Sequence, residues 1–268
     1  MAENGAIEGP PAVDWQGQPV DCKTCDWRQR LEAGQCGPGW ACVHDRYAKR
    51  IERYFLLNPD IADRCLSHPY FEVRANAARK ATLFRLPKLL DDDEPEVRAI
   101  AVLRLPATQA KRKMKDLDRR VRIAVTHRLP PEELLPMLSD ADAYVRQVAT
   151  RRVERGVLPT MVNDPDPEIR RIVARRIKPD WLTYMTSDSD PLVRREAAER
   201  IPVERLEVFC DDSDLRVRHV VAERAEGRVL DRLSEDEEPL VRETAQARRD
   251  SLNVNKSNPS ENASHGDG

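Results

Sequence analysis

Long apolar runs are missing from this chain. No stretch of its 268 residues approaches the roughly 18–20 apolar residues that a membrane span needs. The opening segment, MAENGAIEGPPAVDWQGQP, has no basic stretch followed by an apolar one, so no secretory signal is expected. Neither sign of charge is in excess: 45 Lys and Arg stand against 47 Asp and Glu, a formal net charge of −2. That balance argues against a globally basic nucleic-acid binder and against an acidic disordered chain. Catalytic constellations are missing too. The five histidines, at 44, 68, 127, 219 and 265, do not gather, and there is no Gly-rich phosphate loop, HExxH or serine-nucleophile motif. The expectation is a cytoplasmic protein that is not an enzyme, with no membrane and no small-molecule substrate. In that compartment its six cysteines serve as thiols or metal ligands rather than disulfides.

Aromatic residues are scarce, and their placement divides the chain. Nine of the thirteen lie in the first 84 residues, and four of the six cysteines fall between 22 and 42. After about residue 66 the composition turns to Arg, Asp, Val, Leu, Ala and Pro, a shift that marks a domain boundary. The expected organisation is a flexible N-terminus over 1–20, a four-cysteine module with a docking helix over 21–60, a second domain over 61–250, and a disordered tail over 251–268.

The second domain is a repeat. A branched apolar residue followed by Arg recurs at Val73-Arg74, Val97-Arg98, Val121-Arg122, Val145-Arg146, Ile169-Arg170, Val193-Arg194, Val217-Arg218 and Val241-Arg242, always 24 residues on. Eight dipeptides in unbroken register do not arise by chance. Counting from the apolar residue, Asp stands five before in seven repeats (Asp92 to Asp236), and an acid stands three before in seven (Glu94 to Glu238). Pro often stands two before, as at Pro95, Pro167, Pro191 and Pro239; Lys or Arg always stands seven after; Leu usually stands thirteen after. The acid three before suits an N-cap, and the Pro then falls at the first helical position, where its missing donor does no harm. Positions 0, +3, +4 and +8 are mostly apolar and share one helix face. Each repeat therefore carries an α-helix of about 11 residues, about 16 Å long. Six or seven residues remain for the return. A 3₁₀ segment, rising about 2 Å per residue, matches the outward helix better than a second α-helix would. No single repeat can close a core, so the eight must stack into a solenoid.

This pattern resembles the leucine-rich repeat variant family, a short relative of the HEAT and phycobilisome-lyase-like helical repeats. Ordinary leucine-rich repeats have an L-x-x-L-x-L strand and an Asn column, and neither is present. The resemblance covers roughly 60–250. It implies an all-α, right-handed superhelical solenoid of alternating α- and 3₁₀-helices, with a small iron–sulfur module in front.

The N-terminal module reads Cys22-x2-Cys25-x10-Cys36-x5-Cys42. Four thiols in so short a span point to a metal site. Thiolates suit zinc or an iron–sulfur cluster, and the spacing leaves both open. The second pair is wider than zinc fingers use, which fits a bulkier cluster. Gly34, Gly37, Pro38 and Gly39 let the loop wrap its contents, and Trp27 and Trp40 flank the ligands. The family resemblance implies a [4Fe–4S] cluster on Cys22, Cys25, Cys36 and Cys42. Cys65 and Cys210 fall in apolar repeat columns and are expected in the core; His44 is a weaker ligand candidate. A helix is expected over 43–57, with Tyr47, Ile51, Tyr54 and Phe55 on a face that docks the module onto the first repeat.

The arginine columns admit two readings. They form either a phosphate-binding stripe or a ladder, each Arg meeting an acid of its own or the next repeat. Equal counts of acids and bases favour the ladder, and the acids at −5 and −3 then read as helix caps. The Lys/Arg column at +7 lies on the apolar arc, with its heads toward free helix-end carbonyls. Outward positions in the middle repeats (Gln147, Arg151, Arg171, Arg175, Arg195) make a local basic patch, and 231–250 is acid-rich. No aromatics interleave with that patch to stack on bases, so a protein partner is expected ahead of nucleic acid. The functional expectation is an iron–sulfur protein whose solenoid is a macromolecular binding scaffold, with the cluster serving electron transfer, redox or iron sensing, or structure. The alternative is a zinc-capped solenoid that binds nucleic acid or an acidic protein through the basic patch.

Overall fold

The eight repeat helices begin where the sequence clock sets them. In the computed structural model, which describes residues 10–257, they start at 71, 95, 119, 143, 167, 191, 215 and 239. Two compact units divide the chain, Met1–Met137 and Leu138–Gly268. The first holds α1 (Arg28–Glu32), α2 (Ala48–Leu57), α3 (Phe71–Ala78), α4 (Pro95–Arg104), the single turn α5 (Ala107–Ala110) and α6 (Arg119–Arg128). The second holds α7 (Ala143–Arg152), α8 (Pro167–Arg176), α9 (Pro191–Arg200), α10 (Leu215–Arg224), α11 (Gly227–Leu233) and α12 (Pro239–Ser257). The return legs are mostly 3₁₀, as at Pro59–Cys65, Leu83–Asp91, Pro179–Met185 and Val203–Phe209. At α11 the return is α-helical instead, and α5 is a single α turn that runs on into 3₁₀ at Lys111–Lys113. Among the described residues only isolated β-bridges form.

Most repeat helices are ten residues long. Their starts are set by the acid at −3: Asp118, Asp166, Asp190 and Asp214 each accept from a backbone N–H of the first turn. Glu94 stands at the same place but makes no side-chain cap. Within each unit the core repeats with the sequence. Val97, Val121, Val145, Ile169, Val193 and Val217 are fully buried, as are their +4 partners Ala101, Val125, Ala149, Val173, Ala197 and Val221. The +13 leucines Leu86, Leu134, Leu158, Leu182 and Leu206 close the layer from the return legs. Cys65 and Cys210 are buried in this core.

The +1 arginines form the ladder. Arg74, Arg98, Arg146, Arg170, Arg194 and Arg218 each grip the −5 carboxylate of the following repeat with two N–H groups, at Asp92, Asp116, Asp164, Asp188, Asp212 and Asp236. The third nitrogen donates to the backbone at −5 of its own repeat, as Arg98 does to Asp92 O at 2.8 Å. The −5 acids are thus inter-repeat partners rather than helix caps. The other oxygen-bonding role falls to the N–H at −3, which donates to the same carboxylate (Glu94 to Asp92, 3.0 Å). The +7 arginines reach the carbonyls that end the preceding helix: Arg104 donates to Ala78 and Ala81, Arg200 to Ala174 and Ile177, Arg224 to Ala198 and Ile201.

Both termini differ from expectation where they are described. Residues 10–20 are not a free arm: Val13 bridges Pro19, Asp14 bridges Asp45, and Arg50 donates to Pro10 O at 2.7 Å. The contacts to Asp45 and Arg50 are distant in sequence, so composition does not reveal them; residues 1–9 lie outside the described residues. At the other end α12 runs on through 251–257, the start of the expected tail. No Pro or Gly interrupts the chain between Pro239 and Pro259, so the helix propagates. The rest of that tail lies outside the described residues.

Candidate metal centre

Cys22, Cys25, Cys36 and Cys42 line one pocket, together with Val20, Leu31, Val43, Trp27, His44 and Tyr54. The sequence sets this up locally. Gly39, at φ +79°, turns the chain between the third and fourth cysteines. Gly37 lies so close under the Trp40 indole that a Cβ there would fall 2.2 Å from Nε1. Trp27 carries the Arg64 guanidinium 4.5 Å above its ring, while its backbone N–H donates to Cys25 Sγ at 3.4 Å. Cys42 is buried and the other three ligand candidates are half-buried. Among the described residues no three His, Cys, Asp or Glu side chains converge closely enough for a single metal ion; the thiols surround the pocket instead.

The electrostatics ask for positive charge in that pocket. Burial pushes the Cys42 thiol up to about 12, against weaker help from the backbone N–H groups of His44 and Asp45. Cys22 and Cys36 are raised as well, by burial first and then by neighbouring thiolates. Thiolates here need a metal to replace their protons. Burial lowers His44, and its ring stands 6.2 Å from His68.

The helix α2 joins the pocket to the first repeat. It starts at Ala48, later than the expected 43, because Asp45 is taken up by the loop: it pairs with Arg50 at 2.9 Å and accepts from the Tyr47 N–H. Tyr47 is therefore a boundary residue, and Ile51, Tyr54 and Phe55 form the buried face. Asn58 donates to Gln35 O at 2.9 Å, Arg30 pairs with Asp60, and Tyr70 donates to Arg46 O and stacks on Trp15 at 6.0 Å. Tyr54 is the residue whose role the sequence hides. It is 1% exposed, yet its hydroxyl has no hydrogen-bond partner. Its spacing marks it only as one more apolar contact.

The expected basic patch is largely neutralised. Arg171 pairs with Glu168 at 2.8 Å, Arg175 with the buried Glu196, and Arg195 with Glu199 at 2.7 Å. Glu196 and Glu199 are one helix turn along from the arginines they meet, or on the neighbouring helix, so sequence charge counted on arginines alone overstates the field. No helix among the described residues is long and apolar enough to cross a membrane.

Stacked α/3₁₀ repeats preceded by a thiol-lined pocket define a helical-repeat protein with a cysteine-rich N-terminal module. Residues 12–64 match the family described as the LRV protein FeS4 cluster. A solved structure of a leucine-rich repeat variant with a novel repetitive structural motif is 35% identical, covers 90% of this chain and 100% of its own, and superposes with a TM-score of 0.82. The chain belongs to the leucine-rich repeat variant family. An uncharacterised 27.7 kDa protein from the nifB 3′ region of Rhodobacter capsulatus is 58% identical over 94 residues. That match takes in 35% of this chain and 38% of the relative's length. Together the comparisons support an iron–sulfur helical-repeat protein. The cysteine pocket fits such a group in donor chemistry and in the unpartnered Tyr54 hydroxyl beside the thiols.

Proposed function

We propose that Cys22, Cys25, Cys36 and Cys42 hold a [4Fe–4S] cluster, and that the stacked repeats are a binding scaffold for a protein partner. The observation that carries this reading is the single pocket lined by all four thiols. The cluster would supply one-electron chemistry or report redox or iron status. Four thiolates complete its coordination, which favours those roles over substrate binding at iron and hence a protein that is not an enzyme. Cys42 and the loop around Gly37 and Gly39 fix the ligands, while Trp27, Val20, Leu31 and Val43 keep water from them. The family match supports iron–sulfur over zinc, and the paired arginines leave little support for nucleic-acid binding. A protein partner is supported by exposed aromatics on the return legs: Trp181 and Tyr184 lie 5.4 Å apart, and Tyr184 is 71% exposed. A cytoplasmic location fits the free thiols.

The test is a set of single Cys→Ser replacements in the full chain, purified without oxygen. Each of the four should lose most of its iron and visible absorption, while Cys65→Ser and Cys210→Ser keep theirs. Retention of full iron by any two of the four variants would contradict the ligand assignment.

A further inference from the structure

Tyr54 sits on the buried face of α2 between Ile51 and Phe55. Its ring meets Phe55 edge-on, with centroids 5.5 Å apart. Phenylalanine would fill that place without burying an oxygen. Instead the phenol enters the cysteine pocket with a hydroxyl that lacks any partner. A buried hydroxyl in that state is costly unless an acceptor arrives. At this helix end the Asn58 amide donates to both Gln35 O and Tyr54 O while its Oδ1, like the Tyr54 hydroxyl, is buried without a partner, and Arg30 bonds Gln35 and Asp60. The pocket that the phenol lines carries the sulfurs of Cys22, Cys25, Cys36 and Cys42.

We propose that the Tyr54 hydroxyl donates a hydrogen bond to a sulfur of the bound cluster, and so positions the cluster and raises its reduction potential. This rests on the cluster reading above. The physics is general: a donor to cluster or ligand sulfur stabilises the more negative, reduced state. Tyr54 acts through sulfur and touches no iron, so it is a positioning residue. It also ties the cluster to α2, the helix that packs on α3 and on the Pro59–Cys65 return leg. Gain, loss or reduction of the cluster would therefore be felt at the first repeat through this hydroxyl.

The experiment compares the wild-type chain with Tyr54→Phe, both purified without oxygen. Iron and sulfide are counted first. A wild-type chain without them defeats the cluster reading itself, and this proposal with it. With equal iron in the two proteins, resonance Raman spectra in H₂O and D₂O follow. The wild type should show a deuterium shift in its Fe–S stretching bands, and part of that shift should vanish in Tyr54→Phe. The variant's midpoint potential should fall, on the order of the 59 mV that corresponds to a tenfold change in a one-electron couple. Identical bands, deuterium shifts and midpoint would overturn the proposal. That is also the result expected if the hydroxyl merely turned to the Cys65 thiol.

Discussion

Arg146 shows what one side chain does in every rung. It holds Asp164 through Nε at 2.8 Å and Nη2 at 3.0 Å, and its remaining nitrogen donates to Asp140 O. Asp164 in turn accepts from the Asp166 N–H at 2.9 Å. Both side chains are nearly buried, at 11% and 3% exposure, so solvent screens the pair little. Removing one partner strands a buried charge. Arg146→Ala should therefore lower stability by about 3 kcal/mol, measured by urea unfolding. Arg146→Met with Asp164→Leu should lose less than either single alanine variant, because no charge is left unpaired. The period alone shows that Arg and an acid recur together. It cannot say that the partner lies in the next repeat, because the direction and rise of the stack set that choice. At the metal centre the four cysteines are legible for the same reason that Tyr54 is not. Thiols are rare and their type declares a chemistry, whereas a tyrosine at helical spacing looks like core until its hydroxyl is found without a partner.

At the scale of the helix, the N-cap decides the start. Asp190 accepts from the Leu192 N–H at 2.8 Å, while Glu94, one methylene longer, does not cap at all. Asp190→Ala should cost about 1 kcal/mol, and Glu94→Ala should stay within about 0.5 kcal/mol of zero, by the same unfolding assay. The acids also set a pH dependence. Arg216 and the first-turn N–H hold Asp214 down to about 2. Burial pushes Asp116 and Asp236 up, but the hydrogen bonds and charge of Arg98 and Arg218 outweigh it and leave both below the usual carboxylate value. Carboxyls whose folded pKa is depressed stabilise the fold above their unfolded value of about 3.8 and lose that contribution as pH falls through the folded one. The urea midpoint should hold from pH 7 to about 5 and fall steeply between about 4 and 2. A midpoint unchanged down to pH 3 would contradict this. The helix starts and the apolar face were legible because proline, acid and valine each have a strong local preference. The prolongation of α12 was not, because Ser251, Asn253 and their neighbours read as tail by composition while nothing in them stops a helix.

For the whole molecule, α2 joins the cysteine pocket to the first repeat. Asn58, Arg30, Tyr70 and Trp15 make the connection, and none of these pairings is visible in the sequence, since each links residues brought together only by folding. Removing the metal should therefore loosen the first unit selectively. Hydrogen exchange after oxidative removal of iron should quicken in α2 and in Pro59–Cys65, and leave α9 and α10 of the second unit unchanged. Equal protection throughout, with and without iron, would mean that the module is a passenger on the repeats. More basic than that coupling is the proposed assignment of an iron–sulfur cluster to the pocket formed by Cys22, Cys25, Cys36 and Cys42. The most direct test is to purify the full chain without oxygen and count iron, acid-labile sulfide and zinc per chain. About four iron and four sulfide are expected, with broad brown absorption. About one zinc and no sulfide would contradict the assignment.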